Sequence, residues 1–244
     1  KGRFICAKPN FRNSENTLFT SLKSSTTDLL SDSGYKTSEL GFSLGTKFEQ
    51  FQNIFLSPEI DILVEDLETS SKASNTLKKQ EGSYTDLYFN YTINQDLRDK
   101  RYRSESGYQT FFSQEVPLVS DNSEFSNAFE ISKYKKLSTK SDTIGKISFY
   151  AKTITGLSDD VRISKRLRVP SSKLRGFEKG KVGPVDNNDY IGGNHVTALN
   201  VSASLPNIFV APLPLIFTAA LVTLSNTPTK GTNSIPSCAN CPAT

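Results

Sequence analysis

The stretch Asp86-Leu87-Tyr88-Phe89-Asn90-Tyr91-Thr92-Ile93 decides the fold class of this 244-residue chain. Successive side chains of an extended backbone point to opposite faces. Leu87, Phe89, Tyr91 and Ile93 therefore share one apolar side, and Asp86, Tyr88, Asn90 and Thr92 share the other. The same alternation appears in Leu40, Phe42 and Leu44, and again in Ile60, Ile62 and Val64 set against Glu59, Asp61 and Glu65. It returns in Leu199, Val201, Ala203 and Leu205, which alternate with Ala198, Asn200, Ser202 and Ser204. The pattern predicts strands near 17–27, 38–50, 58–68, 83–95, 108–118, 125–137, 144–155 and 196–205. The first residues read as the middle of a further strand. Connections at 12–16, 98–107 and 137–142 look tight, whereas 29–36 and 70–82 look longer and polar, as in an up-and-down meander of hairpins.

Composition agrees with an all-β chain. Sixteen Phe and nine Tyr sit among many Ser, Thr and Asn, a strand-and-turn vocabulary. A hydrophobic fraction of 36% with 22% charged residues disfavours disorder. The mean hydropathy of −0.40 excludes a polytopic helical membrane protein, because each helical span needs about 20 nearly uninterrupted apolar residues. The net charge of +4 is too mild to argue for nucleic acid. There is no methionine, even at position 1, so the chain reads as a fragment or processed piece, and no signal peptide begins it. Cys6 is isolated, and Cys238 with Cys241 forms a CxxC without a second pair of ligands at metal spacing, so no metal site is expected.

Strand length carries the next step. The predicted strands run to about 10 to 13 residues, against about 5 or 6 in a globular sheet. Ten residues at roughly 3.4 Å rise, tilted by about 45°, cover roughly 24 Å, close to the ~25 Å apolar band of an outer-membrane barrel. Opposite the apolar faces lie Asp61, Asn90, Glu130 and Lys152 in mid-strand, which suit a wet interior. Periodicity alone leaves two arrangements open: a soluble sandwich with apolar faces inward, and a barrel turned inside out.

Between Leu157 and Asn194 the alternation gives way to a glycine-rich basic segment holding Arg162, Lys165, Arg166, Arg168, Lys173, Arg175, Lys179 and Lys181. The plain reading is a solvated loop. Only Phe177 interleaves the cations, which is too little aromatic surface for nucleic-acid stacking. The run from Leu167 to Pro184 contains Arg175-Gly176-Phe177 and then Gly183-Pro184, and Asp189-Tyr190-Ile191-Gly192-Gly193-Asn194 follows. This ordered set resembles the sixth extracellular loop of the BamA family of outer-membrane assembly factors. Pro9-Asn10-Phe11 and Asp96-x-Arg98-Asp99 leading to Ser106-Gly107-Tyr108 resemble that family's turns, although a proline often found near Ser104 is missing.

The resemblance covers roughly residues 2 to 206 and implies part of a transmembrane antiparallel up-and-down β-barrel, incomplete against the family's sixteen strands. Residues 1–206 would be the partial barrel with its long loop at about 157–194, and 207–244 a tail of a different kind. The implied place is the bacterial outer membrane. Implied partners are outer-membrane lipid, unfolded outer-membrane protein clients and accessory assembly lipoproteins, with no nucleic acid and no cofactor. The resemblance also assigns the plug tip to Arg175, Gly176 and Phe177, the arginine bonded to a barrel-wall partner with the phenylalanine wedged beside it. Gly183, Pro184, Gly192 and Gly193 would shape the loop's return. Client insertion would proceed without nucleotide hydrolysis, through an opened strand edge.

No catalytic constellation is visible, so no enzyme is expected. His195 has no motif partner and reads as a wall residue, and adjacent acids such as Glu65-Asp66 would point to opposite faces of a strand. From about Asn207 the resemblance ends. Ile208 to Leu224 is apolar but interrupted by Pro212 and Pro214, and 225–244 has no aromatic residue. Irregular structure is expected there. Alternatives are a two-partner secretion transporter, a porin-like passive channel and a soluble β-sandwich binding module.

Overall fold

The structure is a computed structural model that describes residues 1–71, 73–138, 143–174, 177–178, 180–186, 189–204 and 216–226. Its strands are β1 (Gly2–Lys8), β2 (Thr17–Leu29), β3 (Tyr35–Phe51), β4 (Ile54–Thr69), β5 (Gly82–Asp96) and β6 (Ser106–Ser120). They continue as β7 (Glu124–Lys136), β8 (Ile144–Gly156), β9 (Val185–Asp186), β10 (Asp189–Tyr190), β11 (His195–Ser204) and β12 (Ile216–Ser225). One-turn helices α1 (Leu30–Ser33) and α2 (Asn75–Lys78) lie in two of the connections. Ten strands form one sheet in the order β1-β2-β3-β4-β5-β6-β7-β8-β11-β12, and β9 and β10 make a separate small hairpin. Neighbouring strands in the sheet are antiparallel throughout.

Cross-strand register separates the two faces. Phe4, Leu22, Phe42, Ile62 and Leu87 lie side by side across five strands. One position along, Ser21, Ser43, Asp61 and Tyr88 form the matching polar row. The apolar row faces outward, with Ile62 46% exposed, while Ser43 is 6% exposed and its hydroxyl meets that of Ser21 at 2.7 Å. The far half repeats this. Ile131, Phe149, Leu199 and Leu221 align outside, and Ser132, Ser148 and Asn200 align inside and are buried. Such a belt in water would be an aggregation hazard, so hydrocarbon is the solvent that suits it. The choice between sandwich and barrel is thus made: the apolar faces do not pack together in a dry centre.

Connections alternate between two ends. The loop end carries the short link with α1, the link with α2, the tight turn after β6 and the long segment between β8 and β11. The turn end carries the links β1–β2, β3–β4, β5–β6 and β7–β8. Two small apolar clusters sit at the loop end of the concave face. Tyr35, Leu67, Ala73, Leu77 and Ile163 form one, and Ile154, Val161, Leu167 and Val196 the other.

Two expectations need correction. The connection predicted to be long at 29–36 is a single helical turn between two strands that continue through most of it. The tail predicted to be irregular contains β12, which pairs with β11 over its whole length from Ser204↔Ile216 to His195↔Ser225. Its sequence lacks alternation because both of its faces carry apolar residues: Leu221 points outward with the belt, while Leu224 packs against the cluster around Val161 and Leu167. Residues 205–215 and 227–244, including Cys238 and Cys241, lie outside the described residues.

Candidate functional site

The long segment between β8 and β11 enters the concave face of the sheet through three consecutive residues. Val161 and Ile163 are each 1% exposed and belong to different apolar clusters, and Arg162 between them is fully buried. The tripeptide works as a pin with a greasy residue on each side of a charge.

That charge meets the wall at three strands. Arg162 Nη2 donates to Asp86 Oδ2 on β5 at 2.5 Å, and Nη1 lies 3.5 Å from Glu65 Oε2 on β4. The backbone N–H of Arg162 donates to Glu124 Oε1 on β7 at 2.7 Å, with Nε 3.4 Å from the same oxygen. The guanidinium carbon sits 4.4 Å from the centre of the Tyr84 ring. Every ionic side chain in this hub is at most 2% exposed. Glu65 and Tyr84 are cross-strand partners near the loop end, so the sheet register builds the receptor for the arginine. A planar guanidinium holds its five donors in a rigid fork, which a flexible ammonium does not. Burial works against its charge, but Glu124, Asp86 and Glu65 outweigh burial and hold its pKa above the ordinary arginine value.

Further along, Lys165, Arg168 and Lys173 also reach the wall. Lys165 lies 5.7 Å from the ring centre of Tyr88 on β5. Arg168 donates to Tyr35 Oη at 3.3 Å and to the Tyr190 carbonyl at 3.1 Å. Lys173 pairs with Glu130 on β7 and stands 5.1 Å from the Tyr150 ring on β8. Arg166 instead ties the loop to itself through Asp160 at 2.6 Å. Arg162, Lys165, Arg168 and Lys173 thus form a row of contacts to the acidic and aromatic lining of the concave face. Beneath it opens a cavity of about 390 Å³ lined by Arg3, Lys23, Asp61, Asn90, Glu115 and Lys165, among others.

The return path is shaped by glycine and proline. Leu167 and Gly193 exchange both backbone hydrogen bonds, at 2.7 and 2.9 Å, closing the loop at its base. Gly192 has φ +73°, and a Cβ there would lie 2.7 Å from the Leu167 carbonyl oxygen. Gly183 has φ +129°, and a Cβ there would meet a methyl of Leu224 at 2.2 Å. The Pro184 carbonyl accepts from the Ile191 N–H at 3.1 Å. Gly183, Pro184, Gly192 and Gly193 thus shape the loop's exit, where Gly183 and Gly193 lie against Leu224 of β12.

At the tip the picture differs from the expectation. Arg175 and Gly176 lie outside the described residues. Phe177 is 60% exposed and borders a shallow crevice with Val169, Leu174 and Val182, so it is not wedged against the sheet. The described wall anchor is Arg162, thirteen positions earlier. Sequence reasoning named Arg162 only as one cation among eight. The available signal was the set of inward carboxylates at the loop ends of β4, β5 and β7, which a wet lumen alone does not require. His195 starts β11 and pairs with Thr153 and Ser225 as a wall residue. Glu65 and Asp66 do point to opposite faces, buried and exposed respectively. Among the described residues no group of His, Cys, Asp and Glu side chains is placed to hold a metal ion.

No curated protein matches the chain in sequence. Among solved structures the fold is similar to BamA from Haemophilus ducreyi lacking POTRA domains 1–3, with a TM-score of 0.78 at 16% identity. That likeness covers 92% of this chain and 49% of the other, so this chain spans about half the length of the protein it matches. At that identity the likeness is one of fold. The sequence model described as the Omp85 superfamily domain matches residues 3–221, which takes in the open sheet, the inward loop and much of β12. The chain belongs to the Omp85 superfamily.

Proposed function

We propose that this chain is the loop-bearing part of a bacterial outer-membrane barrel that folds and inserts other outer-membrane proteins. The single observation that carries the reading is the long basic loop pinned into the concave polar face by Arg162, within a sheet whose apolar face is outward. A loop held this way occupies the space a passive pore would leave open. An unpaired edge in hydrocarbon costs free energy that water cannot relieve, so offering one to an unfolded client is a driving force needing no nucleotide. The partners in this reading are lipid, unfolded client barrels and accessory lipoproteins. Nucleic acid, cofactor and enzymatic chemistry have no part in it.

The test uses the full-length protein in cells depleted of the native copy. Arg175→Ala and, separately, Arg162→Met should impair assembly of client barrels while each variant still reaches the membrane. Normal client assembly by both variants rejects the proposal. Loss of export of one dedicated partner with intact barrel assembly would point to a secretion transporter, and large steady conductance of the wild type in planar bilayers to a passive channel.

A further inference from the structure

At the turn end of β7 the outward face changes character within two residues. Phe129 and Ile131 continue the apolar belt, and the next outward positions are Lys133 and Lys135, both exposed, while Ser132 just before them is buried. Lys133 lies beside Tyr108 on β6 and Ile147 on β8, and Lys135 beside Ser106 and Gly145. The four-carbon stems of these lysines can cover the last apolar side chains while the ammonium groups reach the edge of the hydrocarbon.

The turn between β5 and β6, at the same end of the sheet, carries Lys100, Arg101, Tyr102 and Arg103, with Tyr102 90% exposed. The turn is fastened to β7. Glu105 pairs with Lys100 at 3.2 Å and with Lys136 at 3.0 Å. Those two lysines hold its carboxyl below the usual carboxylate range. Asp96 is taken by Arg98 at 2.7 Å, and Asp99 accepts the N–H groups of Glu105 and Ser106 at 3.0 and 3.2 Å. These three acids of the turn are thus engaged by the turn itself and by β7. Arg101, Lys133 and Lys135 have no ion pair among the described residues.

We infer that the turn-end surface formed by Arg101, Lys133 and Lys135, with Tyr102 and Tyr108, is a binding site for the phosphate of anionic phospholipid headgroups. The leaflet concerned is the one on the turn side, opposite the long loop. Three cations with no ion pair among the described residues lie at the end where the belt stops, and an anionic lipid surface attracts each lysine or arginine near it. Tyrosines with an apolar ring and a polar tip are suited to the headgroup level. The inference needs the outward belt to face lipid and does not depend on client assembly.

The test measures lipid retained by the detergent-solubilised full chain in native mass spectrometry, with phosphatidylglycerol and phosphatidylcholine as competing probes. The wild type should prefer phosphatidylglycerol. The triple variant R101Q/K133Q/K135Q should lose about fivefold per cation, so about a hundredfold in apparent affinity for that lipid, with phosphatidylcholine unchanged. The variant R101K/K133R/K135R should keep the preference, and K36Q at the opposite end should leave it intact. Millimolar inorganic phosphate should fail to displace the lipid if a headgroup at the membrane edge is the ligand. Equal retention of the two lipids by the wild type, an unchanged preference in the triple variant, or loss of preference in K36Q would overturn the inference. So would displacement by inorganic phosphate, or a photo-crosslinker at Tyr102 that captures an acidic protein and no lipid. Client assembly is read separately, so failure here leaves the assembly proposal standing, and the reverse.

Discussion

Replacing Arg162 with methionine removes the charge while nearly preserving side-chain volume, and the structure sets the size of the effect. Three carboxylates, Glu65, Asp86 and Glu124, would remain buried without their shared cation. Removing one partner of a buried ionic group costs about 3–5 kcal/mol, most of it the penalty of leaving charge uncompensated. At about 1.4 kcal/mol per factor of ten, the fraction of molecules with an open loop should rise roughly a hundredfold to a few thousandfold. The loop carries its own reporter sites, since Lys165, Arg166 and Arg168 follow the pin within six positions. Trypsin cleavage of the detergent-solubilised full chain therefore tracks the open population when opening and closing are fast relative to cutting. The expected result is cleavage after those residues in Arg162→Met under conditions where the wild type resists. Arg162→Lys should fall between, because an ammonium keeps the charge but loses the fork. Adding Glu124→Gln to Arg162→Met should recover part of the loss, giving a coupling of about 0.5–3 kcal/mol. Equal cleavage rates in wild type and Arg162→Met would refute the claim that this residue holds the loop.

A contrasting substitution is Lys173→Ala, which removes the pair with Glu130, a pair with 14% and 31% side-chain exposure. It should change loop protection by no more than about 1 kcal/mol, and a larger effect in the same trypsin assay would show that the hub does not dominate. On the outward face, Ile62→Arg should destabilise the vesicle-embedded protein by about 2–4 kcal/mol in urea unfolding. A value near zero would place Ile62 in water. At the loop's exit, Gly192→Ala should strain a backbone at φ +73° and push against the Leu167 carbonyl, at a cost of about 1–2 kcal/mol. Faster hydrogen exchange at the Leu167 and Gly193 amides is the expected readout, and unchanged exchange would mean that the close approach is not needed.

Most of the wall was legible in the sequence because one side of each strand meets lipid and the other meets polar groups. That difference imprints alternation, and Leu87 to Ile93 shows it plainly. The strands run one to four residues beyond their predicted ends at several places, the most at the start of β4, where Ile54, Phe55 and Leu56 are apolar on both faces and carry no contrast. β12 was missed for the same reason, with both sides apolar. Period-two reading detects a difference between two solvents, and it fails wherever the two faces meet the same one.

The loop was legible as a basic segment, but its anchor was not, and the reason lies in what an anchor needs. The motif Arg175-Gly176-Phe177 stands out because its residue types are unusual together, while Arg162 is flanked by Val161 and Ile163 and looks ordinary. Yet a cation can be buried only where anions converge, and convergence is a property of register. Glu65, Asp86 and Glu124 are 21 and 38 positions apart in sequence and meet only because β4, β5 and β7 present their loop ends to one point. With the wall strands assigned, those three inward acids leave a surplus of negative charge at the loop end that the sheet itself cannot cancel. A cation from the one long connection at that end must then be drawn in, and apolar neighbours on both sides decide which. Arg162 is the loop cation with an apolar residue immediately before and after it that joins a buried cluster, and the other cations take the more exposed wall positions further along.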